Sequence, residues 1–271
     1  MKCKYLILLA SMGFAFLLGP SPALAATPPS LGSAESFAIL GASTVTNTGL
    51  TVVTGDLGVS PGSAVTGFFA VDGGPGTVHG TIYRGPLSAA APAQRDAALA
   101  FLALSQPCTV TFPAGNTVLG GRTLNPGVYC SLSSASLNGT LRLVGAGPWI
   151  FRIGSALTTG GTVAAPARVL VNGQPNCDGK GVFWQIGSSA TMGVFTQFVG
   201  NIIAFTSITL VNGASVAGRA FALNGAVTMD TNEVSVCGSG GGCRVRVILD
   251  CDDDHDDHDD HGDHNDHDDH H

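Results

Sequence analysis

Charge is scarce in this 271-residue chain: Asp, Glu, Lys and Arg make up 11% of it, against about 25% in ordinary soluble proteins. It is also unevenly placed. From Ala26 to Leu249 ten Lys or Arg stand against seven Asp or Glu, whereas Asp250 to His271 holds twelve Asp and no Lys or Arg. With Lys2 and Lys4 these give the net −7. A body so thinly charged has no basic patch for nucleic acid, which argues against that class of partner. Histidine is equally sparse, His79 being the only one before the tail. No serine elbow, phosphate loop or zinc-ligand spacing occurs, and so few carboxylates argue against glycosidic cleavage. Asp56 and Asp72, each beside a glycine, read as turn residues. Neither an enzyme nor a required cofactor is expected.

Long apolar runs are missing after residue 25. The run at the start, Leu6 to Leu18, follows Lys2 and Lys4 and precedes Ala23-Leu24-Ala25, the pattern of a secretory signal over 1–25. It is too short for a membrane span, so an exported, soluble chain beginning near Ala26 is expected. Six cysteines follow: Cys108, Cys130, Cys177, Cys237, Cys243 and Cys251. Their even number in an exported protein favours disulfides and leaves many pairings open. Cys237 with Cys243 would close a Gly-rich loop, and Cys108 with Cys130 is a second candidate. The spacings do not fit zinc.

What the chain has in abundance is a three-residue beat of small or polar residue, aliphatic residue, then Thr or Asn. It appears as Thr44-Val45-Thr46, Ala64-Val65-Thr66, Ser136-Leu137-Asn138, Ala156-Leu157-Thr158, Ser189-Ala190-Thr191, Ser207-Ile208-Thr209 and Ala226-Val227-Thr228. In an extended strand the middle residue faces inward and its neighbours line the outer surface. The final residues of successive beats lie 20, 72, 20, 33, 18 and 19 residues apart, a coil of nearly constant length with two excursions and hence a solenoid. Asn-Gly pairs such as Asn138-Gly139 and Asn212-Gly213 suit its corners. The longer excursion reads as a helix over about 91–106, between Pro92 and Pro107. Ala97, Ala98, Leu99, Ala100, Leu102 and Ala103 supply its propensity and apolar stripe, and its length suits lying along the solenoid over one face. The expected organisation is a signal over 1–25, a β-solenoid over 26–237, a Gly-rich connector with a short strand over 238–249, and a disordered His/Asp tail over 250–271.

These residues carry a family likeness. Leu31-Gly32-Ser33-Ala34-Glu35-Ser36-Phe37-Ala38-Ile39-Leu40, Gly55-Asp56-Leu57-Gly58-Val59-Ser60-Pro61-Gly62, Leu124-Asn125-Pro126-Gly127-Val128-Tyr129, Val182-Phe183-Trp184-Gln185-Ile186-Gly187-Ser188 and Phe198-Val199-Gly200-Asn201-Ile202-Ile203-Ala204 closely resemble the microbial ice-binding proteins. The likeness runs over about residues 31 to 237. It implies a right-handed, discontinuous β-solenoid of triangular section, its coils not stacked in chain order, with one long helix against a face. It also implies that ice meets a flat β face and its adjoining loops. Thr206-Ser207-Ile208-Thr209 comes nearest to the family's Thr-Ala/Gly-x-Thr/Asn element, although most rungs here lack the first Thr. The candidate ice-binding residues are Thr158, Ser189, Thr191, Thr206, Ser207, Thr209, Ala226 and Thr228.

Two other functions compete with ice binding. The scaffold could be an extracellular adhesion or interaction module, since one fold hosts different surfaces. The tail could hold divalent metal: His255, His258, His261, His264, His267 and His270 recur every third residue, with His271 beside the last. Imidazoles suit Zn, Ni or Cu and carboxylates suit Ca, while a purely solubilising acidic tail is the plainer alternative.

Overall fold

The computed structural model describes residues 26–174 and 181–236. The proposed signal, Cys177, the Cys237/Cys243 pair, the connector and the His/Asp tail lie outside the described residues. Short strands wind into a parallel β-solenoid, every strand ladder being parallel. One sheet of eight strands forms one side, and a fifteen-stranded sheet bends round to form the others. The bend is visible in two eight-residue strands, Gln197–Ala204 and Ser215–Ala222. Gly200 and Gly218 pair in register there with φ of 115° and 150°. A Cβ on Gly218 would meet the Gly200 carbonyl oxygen, so only glycine lets successive coils turn this corner in contact.

Stacking does not follow chain order. In the eight-stranded sheet the order is Ala64–Thr66, Thr44–Asn47, Val227–Met229, Ile208–Leu210, Ala190–Met192, Leu157–Gly160, Ala135–Asn138 and Thr117–Val118. The last coil is thus wedged between the first coil and its own predecessor. The same closure recurs in the larger sheet, where Ser215–Ala222 pairs with Phe37–Gly41 and Glu233–Ser235 pairs with Val52–Thr54.

The chain crosses from the end of the solenoid at Thr77–His79 and Ile82–Arg84 to the opposite end at Val110–Thr111 through the helix Ala90–Ala103. Fourteen residues at about 1.5 Å each cover roughly four strand spacings, and the helix lies over the outer faces of Leu40, Phe221, Ile203, Phe183, Ile150 and Val128. Its buried side chains are Ala90, Ala93, Ala97 and Ala100, whereas Leu99 and Leu102 are 63% and 66% exposed. Of the expected stripe, Ala97 and Ala100 therefore face the sheet, while Leu99 and Leu102 point outward. The sheet already supplies the bulk, and alanine lets the helix axis come close to it. The helix stops three residues short of position 106. Its end is instead held by the sheet: Gln185 Nε2 donates to the Phe101 carbonyl at 2.7 Å and Arg152 Nη1 to the Gln106 carbonyl at 2.6 Å. Immediately after it, a Cys108–Cys130 disulfide ties the chain to strand Gly127–Ser131.

Inside, Phe112, Tyr129, Phe151, Trp184 and Phe198 form a ladder with ring centroids 6.1, 5.6, 4.0 and 4.7 Å apart, stacked except for the last pair, which is tilted by 47°. Toward the first coil aliphatic residues replace them, Trp184 aligning with Ile202, then Ala220 and Ile39. Aromatic pairs add about 0.5–1.5 kcal/mol each beyond burial, and the two polar tips in the ladder are satisfied by backbone, Tyr129 Oη donating to the Asn125 carbonyl at 2.6 Å and Trp184 Nε1 to the Val199 carbonyl at 3.0 Å. Among the described residues no helix is long and apolar enough to cross a membrane.

Candidate functional site

The three sides of the solenoid differ in what they offer a ligand. One is covered by the helix. The second is open but chemically mixed: Thr140, Arg168, Gln197, Ser215, Glu233, Val52 and Thr77 follow one another across it in register. Burial raises the pKa of Glu233 there. The third, the eight-stranded sheet, carries no charge on its two outward columns.

The first of those columns runs Thr66, Thr46, Thr228, Thr209, Thr191, Thr158, Ser136 and Val118, each paired with the next. Six consecutive threonines therefore stand at the strand spacing of about 4.8 Å. Beneath them Val65, Val45, Val227, Ile208, Ala190, Leu157 and Ala135 are buried, which fixes the threonines outward by strand alternation. Branching at Cβ restricts each side chain to few rotamers, so methyls and hydroxyls repeat in a preset arrangement. The Thr46 hydroxyl lies 3.5 Å from that of Thr228.

The second column, two residues back on each strand, includes Thr44, Ala226, Ser207, Ser189 and Ala156, a placement fixed by the ladder bonds Ile208 N–H to Ala226 O, Ala190 N–H to Ser207 O and Leu157 N–H to Ser189 O. Its serines are partly engaged by the backbone. Ser207 Oγ accepts from the Ala226 amide at 3.3 Å and Ser189 Oγ from the Ser207 amide at 3.4 Å. The threonine column is the freer row of hydroxyls.

A buried polar knot holds the joint between first and last coils. Thr51 Oγ1 donates to Asn47 Oδ1 at 2.6 Å and accepts from the Asn232 amide at 3.0 Å; Asn232 Nδ2 donates to the carbonyls of Val211 and Ala214 at 2.9 and 3.0 Å. Each donor has its acceptor, which makes such a network rigid rather than costly. Further along the solenoid, the buried Thr159 and Thr196 hydroxyls bond each other at 2.6 Å.

Of the eight residues chosen from sequence, Thr158, Thr191, Thr209 and Thr228 form an unbroken run in the first column, and Ser189, Ser207 and Ala226 line the second. Thr206 is off the plane, in the turn between Ala204 and Ile208, its amide donating to the Ser188 carbonyl at 2.9 Å. Thr46 and Thr66 extend the run beyond those eight. Their beats are plain in the sequence, but nothing local says that the first rung lies against the last. One beat is out of phase: Ser136, not Asn138, aligns with Thr158, and Asn138 pairs with Gly160. Among the described residues no group of three His, Cys, Asp or Glu side chains could hold a metal.

A family model described as "Ice-binding-like" matches residues 39–235. An ice-binding protein of Nostoc sp. (strain HG1) is 48% identical over 237 residues, covering 86% of this chain and 82% of that protein. The crystal structure of an ice-binding protein from the Antarctic ascomycete Antarctomyces psychrotrophicus superposes with a TM-score of 0.69 at 35% identity, over 79% of this chain and 100% of that one. An ice-binding protein from an Antarctic biological consortium gives 0.69 at 37% identity, over 80% and 95%.

Proposed function

The chain belongs to the ice-binding-like family, and from that premise we propose that it adsorbs to ice through the charge-free threonine face. The observation that carries the proposal is the run of six aligned threonines from Thr66 to Thr158 on a face with no charged residue in either column. Ice is a ligand without charge or pocket, so affinity has to come from area, flatness and the ordering of water. Hydroxyls anchor lattice-like water at a regular interval, and the methyls between them favour cage-like water rather than displacing it. A rigid β face loses little conformational freedom when it freezes to the crystal, since its side chains are already fixed. Eight rungs at about 4.8 Å reach roughly 34 Å, long enough for many weak anchors to act together. A carboxylate or ammonium in their midst would hold water in its own hydration geometry.

The named relatives lend the adhesion reading no support, and ice is the partner the family supports. We read the protein as non-enzymatic and secreted, with 1–25 as its signal, and the His/Asp tail as a weak chelator of Zn, Ni, Cu or Ca. Dialysis of the full mature chain against Zn followed by metal analysis tests the tail: zinc content no higher in the full chain than in a chain ending at Leu249 would refute it. For the face, residues 26–271 with disulfides formed are exposed to a slowly growing ice hemisphere. Uptake of the folded protein into the ice supports the reading, and its exclusion refutes it.

A further inference from the structure

A neutral face that adsorbs to ice is exposed to one reaction that needs no partner but water, the conversion of an asparagine amide to a carboxylate. Four Asn-Gly steps lie at coil corners among the described residues: 138–139, 172–173, 212–213 and 224–225. The reaction requires a side-chain amide free to turn onto the following backbone nitrogen, and a nitrogen whose N–H is not held by a carbonyl. Three steps fail that test. Asn172 is clamped to Gly145, its Oδ1 accepting from the amide at 2.9 Å and its Nδ2 donating to the carbonyl at 3.0 Å. Asn224 Nδ2 donates to the Phe205 carbonyl at 2.8 Å. The Gly213 N–H is bonded to the Thr231 carbonyl at 3.0 Å.

Asn138 and Gly139 pass it. Among the described residues neither the Asn138 side chain nor the Gly139 N–H has a hydrogen-bond partner, and both residues are exposed. Gly139 has φ 82° and open space where a Cβ would be, so no neighbouring side chain or backbone crowds that flank of the step. Asn138 pairs with Gly160, and a Cβ on Gly160 would lie 2.7 Å from Asn138 Oδ1, which puts the amide over the bare backbone of the next rung. It stands two residues beyond Ser136 on the same side of the same strand, about 6.6 Å along it.

We propose that Asn138-Gly139 is a site of spontaneous deamidation whose product places a carboxylate on the ice-adsorbing face. The Gly139 nitrogen attacks Asn138 Cγ and forms the C–N bond of a cyclic imide. The bond from Cγ to Nδ2 breaks, and ammonia leaves with the proton that Gly139 gives up. Water then opens the imide at either carbonyl, leaving aspartate or isoaspartate at position 138. The acid brings a charge to the edge of two outward columns that have none, and the isoaspartate form also lengthens the backbone inside a rung. This loss of ice affinity rests on the ice-adsorption reading; the reaction itself does not.

The test holds the folded mature chain at mildly alkaline pH and room temperature, with urea-unfolded chain alongside as the reference for unrestrained rates. Peptide mass mapping follows all four Asn-Gly steps, and ice uptake is measured on the same samples and on fresh Asn138→Asp. In the folded chain position 138 is expected to convert first, with the other three slowed relative to the unfolded reference. Uptake falls with the converted fraction, and the Asn138→Asp variant shows the loss without ageing. Conversion of another step first, or protection of 138 relative to the unfolded chain, overturns the site. If 138 converts and both aged and Asn138→Asp protein enter ice like fresh protein, the effect on the face is refuted while the threonine reading stands. If fresh protein is itself excluded from ice, the ice reading has failed, and mass mapping alone still decides the site.

Discussion

The hydroxyls of Thr46 and Thr228 lie 3.5 Å apart although 182 residues separate them along the chain. That contact is the seam between the first and last coils, and it lies inside the threonine run rather than at its end. Anchors at the middle of a rigid row are lost together with their neighbours when one bulky group lifts the surface. Thr228→Tyr is therefore expected to remove most thermal hysteresis, and Thr66→Tyr, at the end of the row, only a small part. Equal losses from the two folded variants would contradict a continuous face.

The helix offers a contrast between residues of similar polarity. Ala97 is buried against the sheet and Leu99 is largely exposed. Ala97→Leu should cost about 1–3 kcal/mol through overpacking, and Leu99→Ala no more than about 0.5 kcal/mol. Urea unfolding of the two variants measures both.

The Cys108–Cys130 disulfide closes a loop of 22 residues in sequence separation, for which chain entropy gives about 3 kcal/mol. Replacing both cysteines by serine should lower the thermal midpoint by several degrees and leave ice uptake of the folded fraction unchanged, since the bridge lies at the helix end. Loss of ice uptake without loss of stability would be the contrary result.

Acid should act on stability and not on the face. The Ser33 hydroxyl and amide hold the Asp96 carboxyl below the usual carboxylate range, and the Gly67 amide leads several that lower Asp72. Carboxylates depressed in the folded state contribute stability that is complete above their unfolded pKa and is lost as pH falls through the folded one. The melting temperature is therefore expected to decline below about pH 4, less steeply in Asp96→Asn. Glu233 works in the opposite sense: burial raises it, so its destabilising cost grows as pH rises through the raised value, and Glu233→Gln should be more stable at neutral pH. Neither outward column holds an ionisable group, so ice uptake by folded protein should not change between pH 5 and pH 8, a range of about three units over which threonine and serine do not titrate. A titration in uptake would place a charged group in the contact.

Much of this was legible because solenoid coils repeat. The beat identified the rungs, and strand alternation told which residue of each faced outward. It failed at Ser136-Leu137-Asn138 because Leu137 is as good an inward residue as Ala135, and both are buried; only pairing with Leu157–Gly160 sets the phase. The wedge of Val227–Met229 beside Thr44–Asn47 has no local signature, since Val45 would pack as well against any aliphatic rung. The helix is legible from propensity and its prolines. Which of its sides faces in depends on bulk already supplied by Phe183, Ile203 and Phe221, which lie far away in sequence.

The central claim is that the threonine face, and no other side of the solenoid, meets ice. Its most direct test compares partition into a growing ice hemisphere for Thr191→Tyr/Thr209→Tyr with that for Ser215→Tyr on the open mixed side, both verified as folded by circular dichroism. The account predicts that the double variant is excluded from ice while Ser215→Tyr is taken up like the unaltered protein. Uptake of the double variant, with exclusion of Ser215→Tyr, would contradict it and move the contact to the other face.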